Sequence, residues 1–168
     1  MDKTFTEENG KYKIDCSKAL WATDEMHSQC QIAKCYMSDV DWIIETKEKI
    51  VMVEYKNANI SEAKKPETFN PKEDKVITKL VKKFYDSVHY LTLLGKGKPR
   101  EYVCILEYPN GDSTSRRMIR NRMKVRLPFV LQDTVGDGKR LIEKVEVLSI
   151  DEWNNDEEYG IFPILPCE

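Results

Sequence analysis

The fold is decided by residues 40–57, whose sequence is VDWIIETKEKIVMVEYKN. Two apolar runs, VDWIIE and IVMVEYK, flank the short polar segment TKEK, and this pattern predicts a β-hairpin. Asp41 lies at the start of the first run, and Glu54 and Lys56 lie near the end of the second. Because side chains alternate along a strand, Glu54 and Lys56 share a face that Asp41 on the neighbouring strand can also reach. The hairpin therefore predicts a cluster of two carboxylates and one ammonium group.

This cluster is costly to bury without a function, because desolvating three charges costs several kcal/mol. Two carboxylates and a backbone carbonyl are the hard oxygen ligands that Mg²⁺ prefers. A lysine beside the metal could orient a water molecule for attack on a phosphodiester. In the alternative interpretation, Glu54 and Lys56 form a surface ion pair at an exposed strand end, since E-x-K is a common triplet. The apolar segment IVMV before Glu54 favours the metal site.

The rest of the chain predicts alternating helices and strands in a mixed α/β arrangement. In chain order we expect helix 15–30, strand 31–36, the hairpin, loop 61–74, helix 75–94, strand 101–108, helix 115–126, strand 144–150 and an acidic tail. The clearest element is helix 75–94, with an apolar stripe on one face and Lys75, Lys79, Lys82, Lys83 and Asp86 on the other. Because this helix links strands 50–57 and 101–108, those strands should be parallel.

Length and composition limit the class of protein. A chain of 168 residues with 40% hydrophobic and 33% charged residues fits a single globular domain. Its apolar runs are shorter than the ~18 residues of a membrane span, and its acidic N-terminus lacks the apolar region of a secretory signal. The five cysteines are scattered and do not pair with the two histidines at zinc-site spacing. We therefore expect a cytoplasmic protein with free thiols, no membrane partner, and His89 half-buried in the core.

The residues of the hairpin carry a resemblance to a known family. The pattern D-x12-E-x-K across a hairpin, followed by an amphipathic helix and a strand, resembles the PD-(D/E)XK nuclease superfamily. The proline of that motif is absent, since residues 38–41 are Ser-Asp-Val-Asp. The resemblance covers about residues 15–110 and implies a restriction-endonuclease-like core, a mixed β-sheet flanked by helices in the order α-β-β-β-α-β. Residues 111–168 would then form a C-terminal extension with a basic helix, a strand and the tail, within one domain.

The resemblance also implies roles for individual residues. Asp41, Glu54 and the Tyr55 carbonyl would bind Mg²⁺, with Mn²⁺ as a possible substitute, and Lys56 would be the catalytic lysine. Asp39 is a rival to Asp41 but does not directly adjoin the apolar run. The family often adds an acid from the first helix, for which Glu25 is the first candidate and Asp24 the second.

The function implied is that of a metal-dependent nuclease that hydrolyses phosphodiester bonds in nucleic acid, with DNA favoured over RNA. The alternative is a catalytically inactive module with the nuclease fold, acting as a partner or inhibitor in a defence or mobile-element system. A purely structural oligomerisation domain is a third, weaker interpretation. The sequence leaves open whether the chain acts as a homodimer or with a partner protein.

The segment SRRMIRNRMKVR, residues 115–126, holds the densest positive charge in the chain. In a helix, Arg116, Arg120 and Lys124 would align at four-residue steps, with Arg117 beside them. This alignment indicates a track for nucleic-acid phosphates. The alternative is a basic face that balances the acidic tail, since residues 151–168 hold six acids and no lysine or arginine.

Overall fold

The structure, a computed structural model, describes residues 3–60 and 69–168. In that part of the chain the strands are β1 (Thr4–Thr6), β2 (Tyr12–Asp15), β3 (Trp21–Thr23), β4 (Trp42–Glu45), β5 (Ile50–Asn57), β6 (Arg100–Glu107), β7 (Lys144–Leu148) and β8 (Ile164–Pro166). The helices are α1 (Met26–Ala33), α2 (Asp74–Leu93), α3 (Ser113–Arg126), α4 (Phe129–Val135) and α5 (Ile150–Asn155), with a 3₁₀ turn at Tyr159–Ile161. The predicted α/β class is confirmed.

A mixed five-stranded sheet in the order β3-β4-β5-β6-β7 forms the centre of the molecule. Strands β4 and β5 form the predicted antiparallel hairpin, in which Trp42 faces Val53 and Glu45 faces Ile50. The helix α2 carries the chain across to β6, which lies parallel to β5 as expected. Strand β7 extends the parallel half of the sheet. The sheet therefore changes from antiparallel to parallel pairing at β5.

Each face of the sheet is covered by a separate apolar core. Ile43 and Met52 point toward the helical layer, where they lie in a cluster with residues of α1, α2 and α3. Trp42 and Val53 point the other way, toward α5 and the small antiparallel sheet β1-β2-β8. By the same alternation, Asp41 and Glu54 lie on the helical side of the sheet.

The predicted helix 75–94 is confirmed as α2, and its apolar stripe is buried as expected. Phe84 and Leu91 are completely inaccessible to solvent. Residues 61–68 of the predicted loop before α2 lie outside the described residues.

The prediction for residues 15–36 is wrong in its main features. Residues 21–23 are an edge strand that pairs with β4, so the predicted helix forms only from Met26 onward. Leu20 is exposed, whereas Ala19 and Met26 are buried in separate cores. Residues 31–36 are not a strand, because α1 continues to Ala33 and Ile32 and Tyr36 are exposed. The core order is therefore β-α-β-β-α-β, with a strand before the first helix.

The C-terminal region is more ordered than a tail. The predicted helix 115–126 and the strand near 144–150 are confirmed as α3 and β7. Residues 151–168 then add α5 and β8, and β8 pairs with β2 near the N-terminus. Because its Trp153 is completely buried, this region forms part of the second core.

Three smaller expectations can also be compared with the structure. All five cysteines are free thiols, as predicted. His89 is exposed on α2, so its predicted half-buried position is wrong. Within residues 3–60 and 69–168, no helix has both the length and the apolar character needed to cross a bilayer.

The end of α1 generates a prediction about stability. The amide of Cys35 donates to the Cys30 carbonyl, and the amide of Lys34 donates to the Gln31 carbonyl, both at 3.1 Å. This is the Schellman pattern, with Lys34 at the left-handed position usually taken by glycine (φ 53°). We expect Lys34→Gly to raise the free energy of unfolding by about 1 kcal/mol. Lys34→Ala is the control, because it removes the same ammonium but keeps Cβ. Urea unfolding should show no comparable increase in its free energy of unfolding.

Candidate functional site

The predicted carboxylates meet at the end of the β4–β5 hairpin. Asp41 immediately precedes β4, and the ladder that pairs Trp42 with Val53 places it opposite Glu54. The Tyr55 side chain lies on the other face, where its ring contacts Trp42 with 5.4 Å between centroids. The expected juxtaposition of Asp41 and Glu54 is therefore present, on the side of the sheet that α2 covers.

Glu54 is the most deeply buried charged group of this cluster, with 2% of the residue exposed. Its Oε1 accepts a hydrogen bond from Lys83 Nζ at 2.6 Å. Its Oε2 is buried and has no hydrogen-bond partner among the described residues. Such an unpaired buried oxygen is unfavourable by itself, so it marks a position at which a cation or another donor would be stabilised.

Asp41 is fixed by the backbone of the neighbouring strand. Its Oδ2 accepts a hydrogen bond from the Tyr55 amide at 2.7 Å, which extends the ladder beyond the end of β4. Asp39, the rival candidate, has a different environment, since its Oδ1 lies 3.0 Å from His27 Nδ1. Of the two aspartates, Asp41 is the one held beside Glu54.

Burial and mutual repulsion shift the ionisation of both carboxyl groups. Burial raises the pKa of Glu54 well above its usual range, the nearby Asp41 charge raises it further, and Lys83 opposes both effects. Burial likewise raises the pKa of Asp41, against the lowering effects of Lys83, the Tyr55 amide and a hydrogen bond with the Glu54 side chain. Burial lowers the pKa of Lys83, but the two carboxylates outweigh it and raise that pKa overall. The single positive charge of Lys83 therefore offsets the negative charge of the two buried carboxylates only in part.

Lys83 is a site residue that the sequence analysis missed. The prediction placed it on the solvent face of helix 75–94, whereas it lies at the edge of the buried stripe, three residues after Leu80 and four before Ser87. That position on the helix is the signal that could have identified it. Lys56, the predicted catalytic lysine, lines the same cleft but is exposed, with its Nζ 5.8 Å from the Phe69 ring centroid. It makes no ion pair with a described residue.

The cluster opens into a cleft of about 420 Å³. Its walls include Asp41, Glu54, Lys56 and Lys83, together with the turn between β1 and β2. In that turn the Glu7 carboxylate accepts the amides of Asn9 and Lys11 at 2.8 and 2.6 Å. Glu7 therefore stabilises the turn and is not an additional free carboxylate of the site.

The acid expected from the first helix is better matched by Asp24 than by Glu25. Glu25 lines a different cleft with Trp21 and Tyr90, and its carboxylate accepts a hydrogen bond from Gln29 at 3.2 Å. Asp24 lines a neighbouring cleft of about 390 Å³ that shares Asp41 and Lys83 with the main one. Asp24, the second candidate, therefore lines a cleft that Asp41 also lines, and Glu25 is not among the residues of that cleft.

The donor set limits which metal the site could hold. Within the described part of the chain, no three histidine, cysteine, aspartate or glutamate side chains are grouped to hold a metal ion. The available ligands are the Asp41 and Glu54 carboxylates and the Tyr55 carbonyl. This set does not fit zinc, which prefers nitrogen and sulfur ligands. It fits Mg²⁺, which retains several waters and needs only one or two protein carboxylates.

The basic helix α3 uses most of its arginines within the molecule. Arg116, predicted to contact nucleic acid, is 7% exposed and donates to both carboxylate oxygens of Glu152 at 3.1 and 3.2 Å. Arg120 lies 3.6 Å from Glu146. Arg122 and Arg126 both pair with Asp74 at the start of α2. The alternative interpretation, in which the basic face balances the acidic tail, is therefore correct for Arg116, and the predicted phosphate track is wrong at that residue.

Two predicted nucleic-acid contacts remain exposed on α3. Arg117 and Lys124 have no acidic partner among the described residues. Since they lie seven positions apart, they provide two separate cations rather than a continuous basic track.

Comparisons of this chain with protein-family models, with curated proteins and with solved structures give no match. The resemblance to the PD-(D/E)XK nucleases consequently depends on the chain's own motif and on the arrangement of its site.

The two neighbouring arginines of α3 provide a matched test of their roles. Arg116→Ala leaves Glu152 without its buried partner, so we expect a loss of about 2 kcal/mol in the free energy of unfolding. Arg117→Ala removes an exposed side chain and should change that free energy by less than about 0.5 kcal/mol. Urea unfolding measures both. Equal stability of the two variants would contradict a structural role for Arg116.

The raised pKa of Asp41 generates a pH-dependent prediction. A raised carboxyl pKa in the folded state means that folding is favoured at low pH, and that this contribution is lost as pH rises above the usual carboxyl range. In chelator, Asp41→Asn should therefore match the wild type near pH 4 and exceed it near pH 7. The expected gain is of the order of 1 kcal/mol, or about 2–4 °C in Tm.

Asp151→Asn, which changes an exposed carboxylate of α5, is the control for this comparison. It should show no increasing advantage with pH in thermal unfolding. An Asp41→Asn protein that is destabilised equally at both pH values would show that the two carboxylates do not repel each other.

Proposed function

We propose that this protein is a metal-dependent nuclease that binds Mg²⁺ between Asp41 and Glu54 and hydrolyses phosphodiester bonds. The observation that carries the proposal is the unpaired, buried Oε2 of Glu54 beside a second carboxylate in an open cleft. A divalent cation would relieve both the repulsion between the carboxylates and the missing interaction of Oε2. The fold is consistent with a restriction-endonuclease-like core, because the acidic hairpin is followed by a long helix and a parallel strand.

The residues of the cleft have separate proposed roles in metal binding and in catalysis. Asp41 and Glu54 would hold the cation, with the Tyr55 carbonyl as a third ligand. The cation, when bound, supplies Lewis acidity that stabilises charge on the phosphate in the transition state. Lys56 is exposed at the cleft and free of ion pairs with described residues, so its ammonium can move to the attacking water and orient it.

Lys83 has a different proposed role from Lys56. Its ammonium contacts Glu54 directly and offsets part of the buried negative charge before a metal binds. We propose that Lys83 stabilises the folded, metal-free site and holds the Glu54 side chain in position. The lysine that promotes water attack is Lys56, as the motif implies.

DNA is the proposed substrate because the family that the motif resembles acts mostly on DNA. The five free thiols suit a reducing compartment, which supports a proposed cytoplasmic location.

The rival function is that of an inactive binding module with the same fold. The observation that favours it is the Lys83–Glu54 ion pair, which partly neutralises the site without a metal. If this pair is permanent, the site would neither bind Mg²⁺ nor cleave, and the protein would act by binding a partner.

Three hairpin variants distinguish the two functions. We expect the wild type to cleave DNA in Mg²⁺ or Mn²⁺ but not in chelator. Asp41→Asn should lose metal binding, measured by calorimetry, together with cleavage. Lys56→Ala should retain metal and DNA binding but lose about 10²–10⁴-fold in turnover, because its role is felt in the transition state. Lys47→Ala, in the exposed turn of the same hairpin, is the control and should cleave normally.

The assay uses single- and double-stranded DNA and RNA with each metal. Cleavage that persists in chelator or in the Asp41→Asn protein would place the activity elsewhere. A wild type that neither binds Mn²⁺ nor cleaves any of these substrates would favour the binding module.

A further inference from the structure

One edge of α2 carries lysines at a regular spacing that begins in the cleft. Lys75, Lys79 and Lys83 recur every four residues, so they lie on the same side of the helix. Each step advances about 6 Å along the helix axis. Lys83 lines the cleft beside Glu54, and the row therefore leads from the candidate active site toward the N-terminus of α2.

The two lysines beyond the cleft are available to a ligand. Lys79 is exposed and has no ion pair with a described residue. Among the described residues, Lys75 pairs with its neighbour Glu73 alone, at 3.0 Å, and its side chain is 76% exposed. An exposed local pair of this kind contributes little, so an incoming phosphate can replace the Glu73 carboxylate at low cost.

The surroundings of this row are also basic. Asp74, at the start of α2, is paired with both Arg122 and Arg126 of α3. The excess positive charge of α3 is thus brought to the N-terminal end of α2. Lys56 adds another exposed ammonium at the cleft itself.

Resting on the proposed nuclease function, we propose that a nucleic-acid strand approaches the Asp41–Glu54 cleft along this edge of α2. Its phosphates contact Lys79 and Lys75, and the strand passes Lys83 before it reaches the carboxylates. These contacts are to the sugar–phosphate backbone of the nucleic acid. They carry no sequence preference, because a lysine ammonium recognises a phosphate as a point charge. The exposed cations of α3, Arg117 and Lys124, are not part of this path.

The test compares two matched double variants, Lys75→Ala/Lys79→Ala on α2 and Arg117→Ala/Lys124→Ala on α3. Each removes two exposed cations, so both should fold, and circular dichroism checks this. Binding of a fluorescent duplex and of its single strand is measured by anisotropy over a range of salt in chelator, where no cleavage is expected. The change Lys75→Arg/Lys79→Arg retains both charges and should bind like the wild type.

For the α2 double variant we expect affinity for the duplex to fall about tenfold near 0.1 M salt. The slope of log K against log salt should decrease by about 1.8, or about 0.9 for each lost phosphate contact, and by about 1.4 on the single strand. The α3 double variant should retain the wild-type slope. A reduced slope in the α3 variant with no change in the α2 variant would overturn the proposed path, as would a wild type that binds neither DNA.

The DNA-binding measurement tests the proposed path independently of the proposed cleavage. Binding that depends on Lys75 and Lys79 in a protein that never cleaves would support the path and contradict the nuclease. Normal cleavage, with DNA binding that does not depend on Lys75 and Lys79, would support the nuclease function and contradict the path.

Discussion

The Glu54 carboxyl group is almost completely buried, and the Lys83 ammonium compensates part of the cost of that burial. Lys83 donates to one oxygen, whereas the other oxygen has no partner among the described residues. Asp41 adds a second carboxylate that raises the Glu54 pKa further. An isolated surface ion pair would not need this arrangement. Repulsion between two buried carboxylates is unfavourable, and the proposed cation would offset that cost.

The backbone of the hairpin explains why the site lies where it does. Strand β4 begins at Trp42, so the sheet has a vacant hydrogen-bonding position beside Tyr55, and the Asp41 carboxylate takes it. Strand β5 is central, which buries Glu54 under α2, yet its last residues extend beyond β4 toward solvent. Lys56 lies in this extension. The same strand therefore provides a buried carboxyl group and, two residues later, an exposed ammonium.

The elements predicted correctly from the sequence are those with strong local patterns. The hairpin, α2 and the parallel pairing of β5 with β6 follow from apolar periodicity and from the length of the crossover. The approach of Asp41 to Glu54 follows from strand alternation alone. Residues 15–36 could not be predicted in this way, because β3 has only three residues and depends on pairing with β4, which no local pattern encodes.

The contacts that sequence reasoning missed are long-range ion pairs. Glu152 lies 36 residues after Arg116, so the burial of that arginine follows from the docking of α5 and not from the basic pattern of α3. Lys83 contacts a carboxylate 29 residues away, across a helix–sheet interface. A charge at the border of an apolar stripe is ambiguous in sequence, since it is either solvated or paired with a buried group.

The proposed metal site is tested most directly by a crystal structure of the wild-type protein grown in Mn²⁺, with anomalous data collected at the manganese edge. We expect one strong anomalous peak bound by the Asp41 and Glu54 carboxylates and the Tyr55 carbonyl. The proposed metal site would be contradicted if crystals saturated with Mn²⁺ showed no peak there and Glu54 were bound by Lys83 alone.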